Sequence, residues 1–205
     1  MRGRRGEHSR DDFVDLVVDA AEGIAAAEGL RGLALRRIAT AIGYAPNSIY
    51  NAVGDLDDIV LKVNARTLAR LRGALASALK PGSAPRDAIL TLADAYLDFV
   101  LAHRQVWSLL FEHSLAADRP WPGWYADELA RTTLVVGDVL APLVPDPTAR
   151  GELVAALWAA LHGIASLAAS DKLGAVTPAD PHRLGRLMVG SCLDGIAAGK
   201  RPARA

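Results

Sequence analysis

The chain has 205 residues, long enough for one sizeable core or a small domain joined to a medium one, without disulfide staples. Hydrophobic residues make up 51% and charged residues 22%, which excludes a wholly disordered or collagen-like chain. Lys+Arg and Asp+Glu both number 23, so a polyanion must be met by a local patch rather than by bulk charge.

Apolar residues recur at helical spacing almost throughout, and no long run alternates with period two, so the expected fold is all-α, with about nine helices. Phe13, Val17, Ala20, Ala21 and Ile24 fall on one face of a first helix, which Gly29 should end. Leu35, Ile38 and Ile42 mark a short second helix stopped by Gly43. Pro46 suits the first turn of a third, with Ile49 and Val53 inward and Gly54 at its end. Asp55, with Asp58 three residues on, is a cap and first-turn acid for a long fourth helix over about 55–79. Pro81 and Gly82 stop it. Later breakers divide the rest into helices expected at about 85–102, 104–117, 123–143, 148–171 and 180–198.

Leu153 to Ser170 carries no formal charge and approaches the ~20 apolar residues that a membrane span needs. It is mostly alanine, includes His162, Gly163 and Ser166, and is closed by Asp171 and Lys172. A helix buried among other helices is therefore expected, and no membrane partner. A single cysteine, Cys192, can form neither an internal disulfide nor a zinc cage. With no signal peptide in view, a reducing, cytoplasmic setting is expected.

A helix of about twenty residues, a short helix, a tight turn at Ile42-Gly43-Tyr44-Ala45 and another short helix match a helix-turn-helix, whose second short helix enters the DNA major groove. With Ile38, Ile42, Ile49 and Val53 inward, Pro46, Asn47, Tyr50 and Asn51 are left on the other face of the third helix. Between Arg31 and Val53 stand Arg31, Arg36 and Arg37 and no acid, and Arg2, Arg4, Arg5 and Arg10 face only Glu7 in the first ten residues. Basic flanks position a protein on phosphates while neutral side chains inspect base edges. Asn47 is the best reader, since an Asn amide can pair bidentately with adenine, and Tyr50 fits a hydroxyl contact to phosphate. The candidate DNA contacts are Arg4, Arg5, Arg36, Arg37, Thr40, Tyr44, Ala45, Pro46, Asn47, Tyr50 and Asn51. On pattern alone, a plain helical subdomain with solvated arginines explains this stretch about as well.

Residues 13–60 resemble the tetracycline-repressor (TetR) family of one-component regulators, through the string Gly29-x-x-x-x-x-Leu35-Arg36-Arg37-Ile38-Ala39-x-x-Ile42-Gly43-Tyr44-Ala45-Pro46-x-Ser48-Ile49-Tyr50. The later Trp158-x-x-x-His162-Gly163 resembles the signature of the family's subgroup named for those three letters, WHG. The resemblance implies a homodimer that binds a palindromic operator and, usually, leaves it when a small molecule enters the C-terminal domain. The chain departs from the family pattern at several points. Ala34 and Ala45 stand where Ser or Thr often caps the second and third helices, Ala52-Val53 replaces a frequent His/Tyr-Phe pair, and Leu56 replaces a frequent Lys. The expected division is a helix-turn-helix domain over 1–54 and a helical ligand-binding and dimerisation domain over 55–205, with 55–79 as connecting helix.

Of eleven aromatic residues, eight lie between positions 96 and 158. Packing accounts for most of them, but a concentration of rings in a helical bundle can line an apolar pocket with a few polar handles. The candidate ligand contacts are Phe99, His103, Trp107, Phe111, Trp124, Trp158 and His162, although a hydrogen-bonded structural place is the commoner fate of a histidine. No His or Cys pair has metal-site spacing, and there is no Gly-x-Ser-x-Gly, phosphate-cradling loop or dinucleotide fingerprint. No metal, cofactor or catalytic role is therefore expected. The last two long helices carry small residues at Ala155, Ala159, Gly163, Gly190 and Gly195, and pairs of them are expected to build a four-helix homodimer interface.

Overall fold

The structure, a computed structural model, describes residues 9–199. Its described residues form ten α-helices and one 3-10 turn, and contain no strand. They group into two compact units, residues 9–67 with 103–125 and residues 68–102 with 126–199.

The first unit begins with α1 (Arg10–Glu28), capped reciprocally by Ser9 and Asp12 and ended at Gly29, whose φ of 66° and ψ of −162° are open essentially to glycine. A 3-10 turn (Leu30–Gly32) leads to α2 (Leu35–Ile42) and α3 (Pro46–Val53), followed by the start of α4 (Leu56–Ala78). Ile38, Ile49, Ile59 and Val17 are fully buried in one core, with Phe13, Ile42 and Val53 packed partly against it. Each such aliphatic side chain contributes about 1.5–3 kcal/mol, which fixes the angle between the two short helices. α6 (Arg104–Glu112) adds Val106 and Leu109 to this core.

α6 ends at Glu112 rather than continuing to 117. His113 turns extended, with ψ 129°, and the following stretch brings both His113 and Arg119 against the first turn of α4, where a continued helix would not carry them.

In the second unit α5 (Pro85–Ala102), α8 (Pro147–Ala169) and α10 (Pro181–Gly199) pack mutually. The ion pairs Arg86–Asp194 and Asp94–Arg186 and the contact between Asp98 and His182 run along α5 and α10 in opposite numerical order, so these helices are antiparallel. Gly185 is where α10 comes closest: a Cβ there would meet Leu97 Cδ1 at 2.9 Å and Leu161 Cδ2 at 3.1 Å.

α7 (Gly123–Leu140) stops three residues before the expected end because Pro142 cannot supply a helical N–H and its ring crowds the carbonyl four residues back. A short α9 (Leu173–Val176), absent from the sequence reading, is set by Asp171 in the left-handed region (φ 57°) and by the buried anchor Leu173.

α8 is long and apolar enough by length and composition to cross a membrane. In this fold its Val154, Leu157, Leu161 and Ala165 are buried among helices, while Ala155, Ala159, Gly163 and Leu167 face outward.

Candidate nucleic-acid interface and effector site

The α2–α3 turn is built on Gly43, left-handed at φ 73° and ψ 27°, whose N–H reaches the carbonyls of Ala39 and Thr40. A side chain with a Cβ would be strained there. α3 then starts at Pro46 and buries Ile49 alone, leaving Asn47, Ser48, Tyr50 and Asn51 exposed on the same side. Tyr50 is 57% exposed. Ala34 and Ala45 supply no side-chain cap; in α3 Pro46 has no N–H and the Ser48 N–H donates to the Ala45 carbonyl at 3.0 Å, so the open first-turn donors are mainly those of α2.

The other candidate contacts are placed differently. Arg36 is exposed, and its carbonyl accepts the Thr40 hydroxyl at 2.9 Å. The Arg37 guanidinium is held by the Glu28 carboxylate at 2.7 Å and the Gly32 carbonyl at 3.0 Å. That pair holds the Glu28 carboxyl below its usual range, chiefly by the hydrogen bond, and ties the end of α1 to α2. Tyr44 is half-buried with its ring edge-on to Phe13, centroids 4.8 Å apart, so its ring packs the turn onto α1. Ala45 and Pro46 are exposed at the start of α3. Arg4 and Arg5 lie outside the described residues.

Arg66 on α4 reaches Asp15 at 2.7 Å and also pairs with Asp19, both on α1. The first turn of α4 is an acidic cluster. Asp55 and Asp58 cap each other's backbone N–H reciprocally, at 3.0 and 3.1 Å. Burial pushes the Asp55 carboxyl up, but hydrogen bonds from the Asp58 backbone and from Arg119 outweigh it and hold the group below the usual carboxylate range.

The candidate ligand contacts divide between the units. In the first, Trp107 is buried and tilted against Phe111, centroids 5.7 Å apart, and His103 is exposed ahead of α6. Trp124 stands edge-on to Tyr125 and beneath the Lys62 ammonium, 5.5 Å from its ring. Three residues here escaped the sequence reading. Lys62 covers Trp124, and buried Tyr125 stacks on Trp121 and is hydrogen-bonded to Asn64, itself 2% exposed. Burial pushes the Tyr125 phenol up to about 12, and the Asn64 Oδ1 is left without a hydrogen-bond partner. A lone asparagine in a helix gives no periodic signal, so only the packing reveals it.

In the second unit Phe99 is buried and Trp158 half-buried. The Tyr96 hydroxyl lies 3.4 Å from Nδ1 of His162, and burial lowers the tendency of that imidazole to take a proton.

Residues 89–192 match the family model described as "Tetracyclin repressor-like, C-terminal domain". Over 86 residues the chain is 33% identical to YobS, an uncharacterized HTH-type transcriptional regulator of Bacillus subtilis (strain 168), a match spanning 42% of this chain and 44% of that protein. The match thus spans less than half of that curated relative. Among solved structures, a protein of unknown function from Rhodococcus sp. RHA1 superposes with TM-score 0.71 at 21% identity, covering 97% of this chain and 98% of the other. Thermus thermophilus FadR, a TetR family transcriptional repressor in complex with lauroyl-CoA, superposes with TM-score 0.65 at 16% identity, covering 94% and 97%. At these identities the likeness to solved structures is one of fold.

Proposed function

The chain belongs to the TetR family of transcriptional regulators, and on that premise we propose that it is a cytoplasmic repressor that binds a palindromic operator as a homodimer and leaves it when a small apolar or amphipathic effector binds. The observation that carries this reading is the outward face of α3. Asn47, Tyr50 and Asn51 are exposed beside a buried Ile49, on a helix held by a glycine turn and an isoleucine core. Asn47 reads a base edge, Tyr50 and Arg36 contact phosphates, and the uncapped first turn of α2 adds neutral donors to the DNA backbone. Residues 1–54 act as the reading domain, and the rest as the effector and dimer domain joined to it by α4.

Arg37 serves this reading as a tie rather than a free cation, because Glu28 already neutralises it. The basic arm with Arg4 and Arg5 therefore carries more of the phosphate affinity.

The effector contacts we assign fall in two groups, each within its own unit: Trp107, Phe111 and Trp124 with Asn64 and Tyr125 in the first, and Phe99, Trp158 and His162 in the second. His103, exposed at the start of α6, is the outlying member of the set. That a neighbour of the same fold is a complex with lauroyl-CoA agrees with an amphipathic effector. Dimerisation uses the outward Ala159 and Gly163 of α8 with the small residues of α10, where Leu187 is 65% exposed.

The test is a fluorescence-anisotropy titration of the full chain against the DNA upstream of its own gene over a salt series. Expected is tight binding that weakens steeply with salt, and weakens further in N47A and Y50F. No binding, or a flat salt response, overturns the reading and leaves a helical small-molecule-binding protein that no longer reads DNA.

A further inference from the structure

Between α7 and the first half of α8, in the second unit, lies a cavity of about 440 Å³ open on one side. It is large enough for a small organic molecule. Three side chains that would otherwise fill it are minimal: Gly137 on one wall, Gly151 and Ala155 on the other. A Cβ built on Gly137 or Gly151 meets nothing within 4 Å, so neither glycine is there for close helix packing. The half-buried indole of Trp158 also lines the space, and Leu134, 57% exposed, stands at its rim.

The cavity has one charged group, Arg150, and no acid among its lining residues. Arg150 Nη1 donates to the carbonyls of Val144 (2.9 Å) and Pro145 (3.0 Å), which hold the guanidinium in place without neutralising it. Among the described residues no carboxylate pairs with it, and its Nε and Nη2 donors have no hydrogen-bond partner there. A fixed, unneutralised guanidinium beside flat apolar walls selects for an anion on an apolar body.

We propose that the α7–α8 cavity is a binding site for a compact aromatic monocarboxylate, its carboxylate on Arg150 and its ring system against Trp158 between the two glycines. Trp158 is shared with the second-unit effector contacts, so the proposal rests on that reading and names the ligand class taken there; failure to bind the naphthoate leaves the salt-dependent operator test untouched.

The test is isothermal titration calorimetry of the full chain with 2-naphthoate, set against its neutral isostere 2-naphthamide. Expected is saturable binding of the acid, about 10- to 100-fold weaker binding of the amide to the same protein, and a similar loss for the acid in R150Q. G151L places a side chain in the open space and should abolish the binding. G137L, from the opposite wall, is the independent check should G151L melt differently from the parent by circular dichroism. No heat with naphthoate at millimolar concentration overturns the proposal. So does binding that R150Q and both leucine variants leave unchanged, which would put the ligand elsewhere. A further overturning result is a parent that ignores naphthoate while G151L shifts its sedimentation from dimer to monomer, because a second copy of the chain would then fill the cavity.

Discussion

Arg119 Nη2 stands 2.6 Å from Asp58 Oδ1, sixty-one residues back in the chain, while Nη1 reaches Asp55 Oδ2 at 2.8 Å and Asp57 Oδ2 at 3.2 Å. One guanidinium thus gathers three carboxylates that crowd the first turn of α4. His113 Nε2 approaches the same turn, 3.3 Å from Asp57 Oδ1. The helix dipole alone favours such acids, and Arg119 adds the counter-charge that lets them sit together. The cluster pins the segment after α6 onto the start of α4, within the first unit.

Replacing Arg119 by Ala should therefore lower the thermal midpoint and flatten its acid dependence. The Asp55 carboxyl titrates below the ordinary 3.8 in the folded state. Its contribution is present above that value and is lost as pH falls through the folded one. Thermal melts between pH 2.5 and 7 on the parent and R119A check this, with the variant losing less on acidification. Parallel curves would show that the three acids are held by the dipole and reciprocal caps alone.

Ala34 is extended at the N-cap of α2 with no side-chain oxygen to take a first-turn N–H. Ala34→Ser supplies one, and should raise stability by about 1 kcal/mol, or the midpoint by about 2–4 °C in a chain of this size. Differential scanning calorimetry checks the shift. If the serine hydroxyl chooses solvent instead, the midpoint will not move.

Gly185 is the point of closest approach in the second unit, with Leu97 and Leu161 within 3.1 Å of where its Cβ would stand. Both leucines are themselves almost fully buried and cannot retreat. Gly185→Val should cost about 1–3 kcal/mol by overpacking, whereas Gly195→Ala on the same helix meets open space and should be neutral or mildly stabilising. Urea midpoints of the two variants, read by far-UV circular dichroism, separate these outcomes. Equal midpoints would mean that α10 shifts to absorb the branch.

The all-helical fold, the glycine turn and the outward face of α3 were legible in the sequence because each rests on local chemistry. A 3.6-residue period placed Ile38 and Ile49 inward, a positive φ required Gly43, and a proline opened α3. The end of α6 was not legible, since it is decided by Arg119 and His113 reaching residues more than fifty positions away. Pro142 was a local signal that the reading overran. Arg37 looked like a free cation because its partner Glu28 lies outside the acid-free stretch that defined the basic patch. Asn64 and Tyr125 join one site only through the packing of α4 against the first turn of α7, which no window of sequence contains.

His162 offers a second pH test, of opposite location to the acid cluster. Its ring lies beside the Tyr96 hydroxyl, and burial depresses its pKa below the unfolded 6.5. Above 6.5 the ring is neutral whether the chain is folded or not, so it imposes no penalty. As pH falls below 6.5 the unfolded chain takes up a proton that the folded one refuses, and stability declines until the folded value is reached. The parent should therefore lose urea resistance between pH 7.5 and 5.5, and His162→Gln, which keeps a polar side chain that does not titrate, should lose less. Comparing the two midpoints at both pH values decides it. An equal decline in H162Q would assign the loss to other groups and show that His162 takes its proton as readily in the fold as outside it.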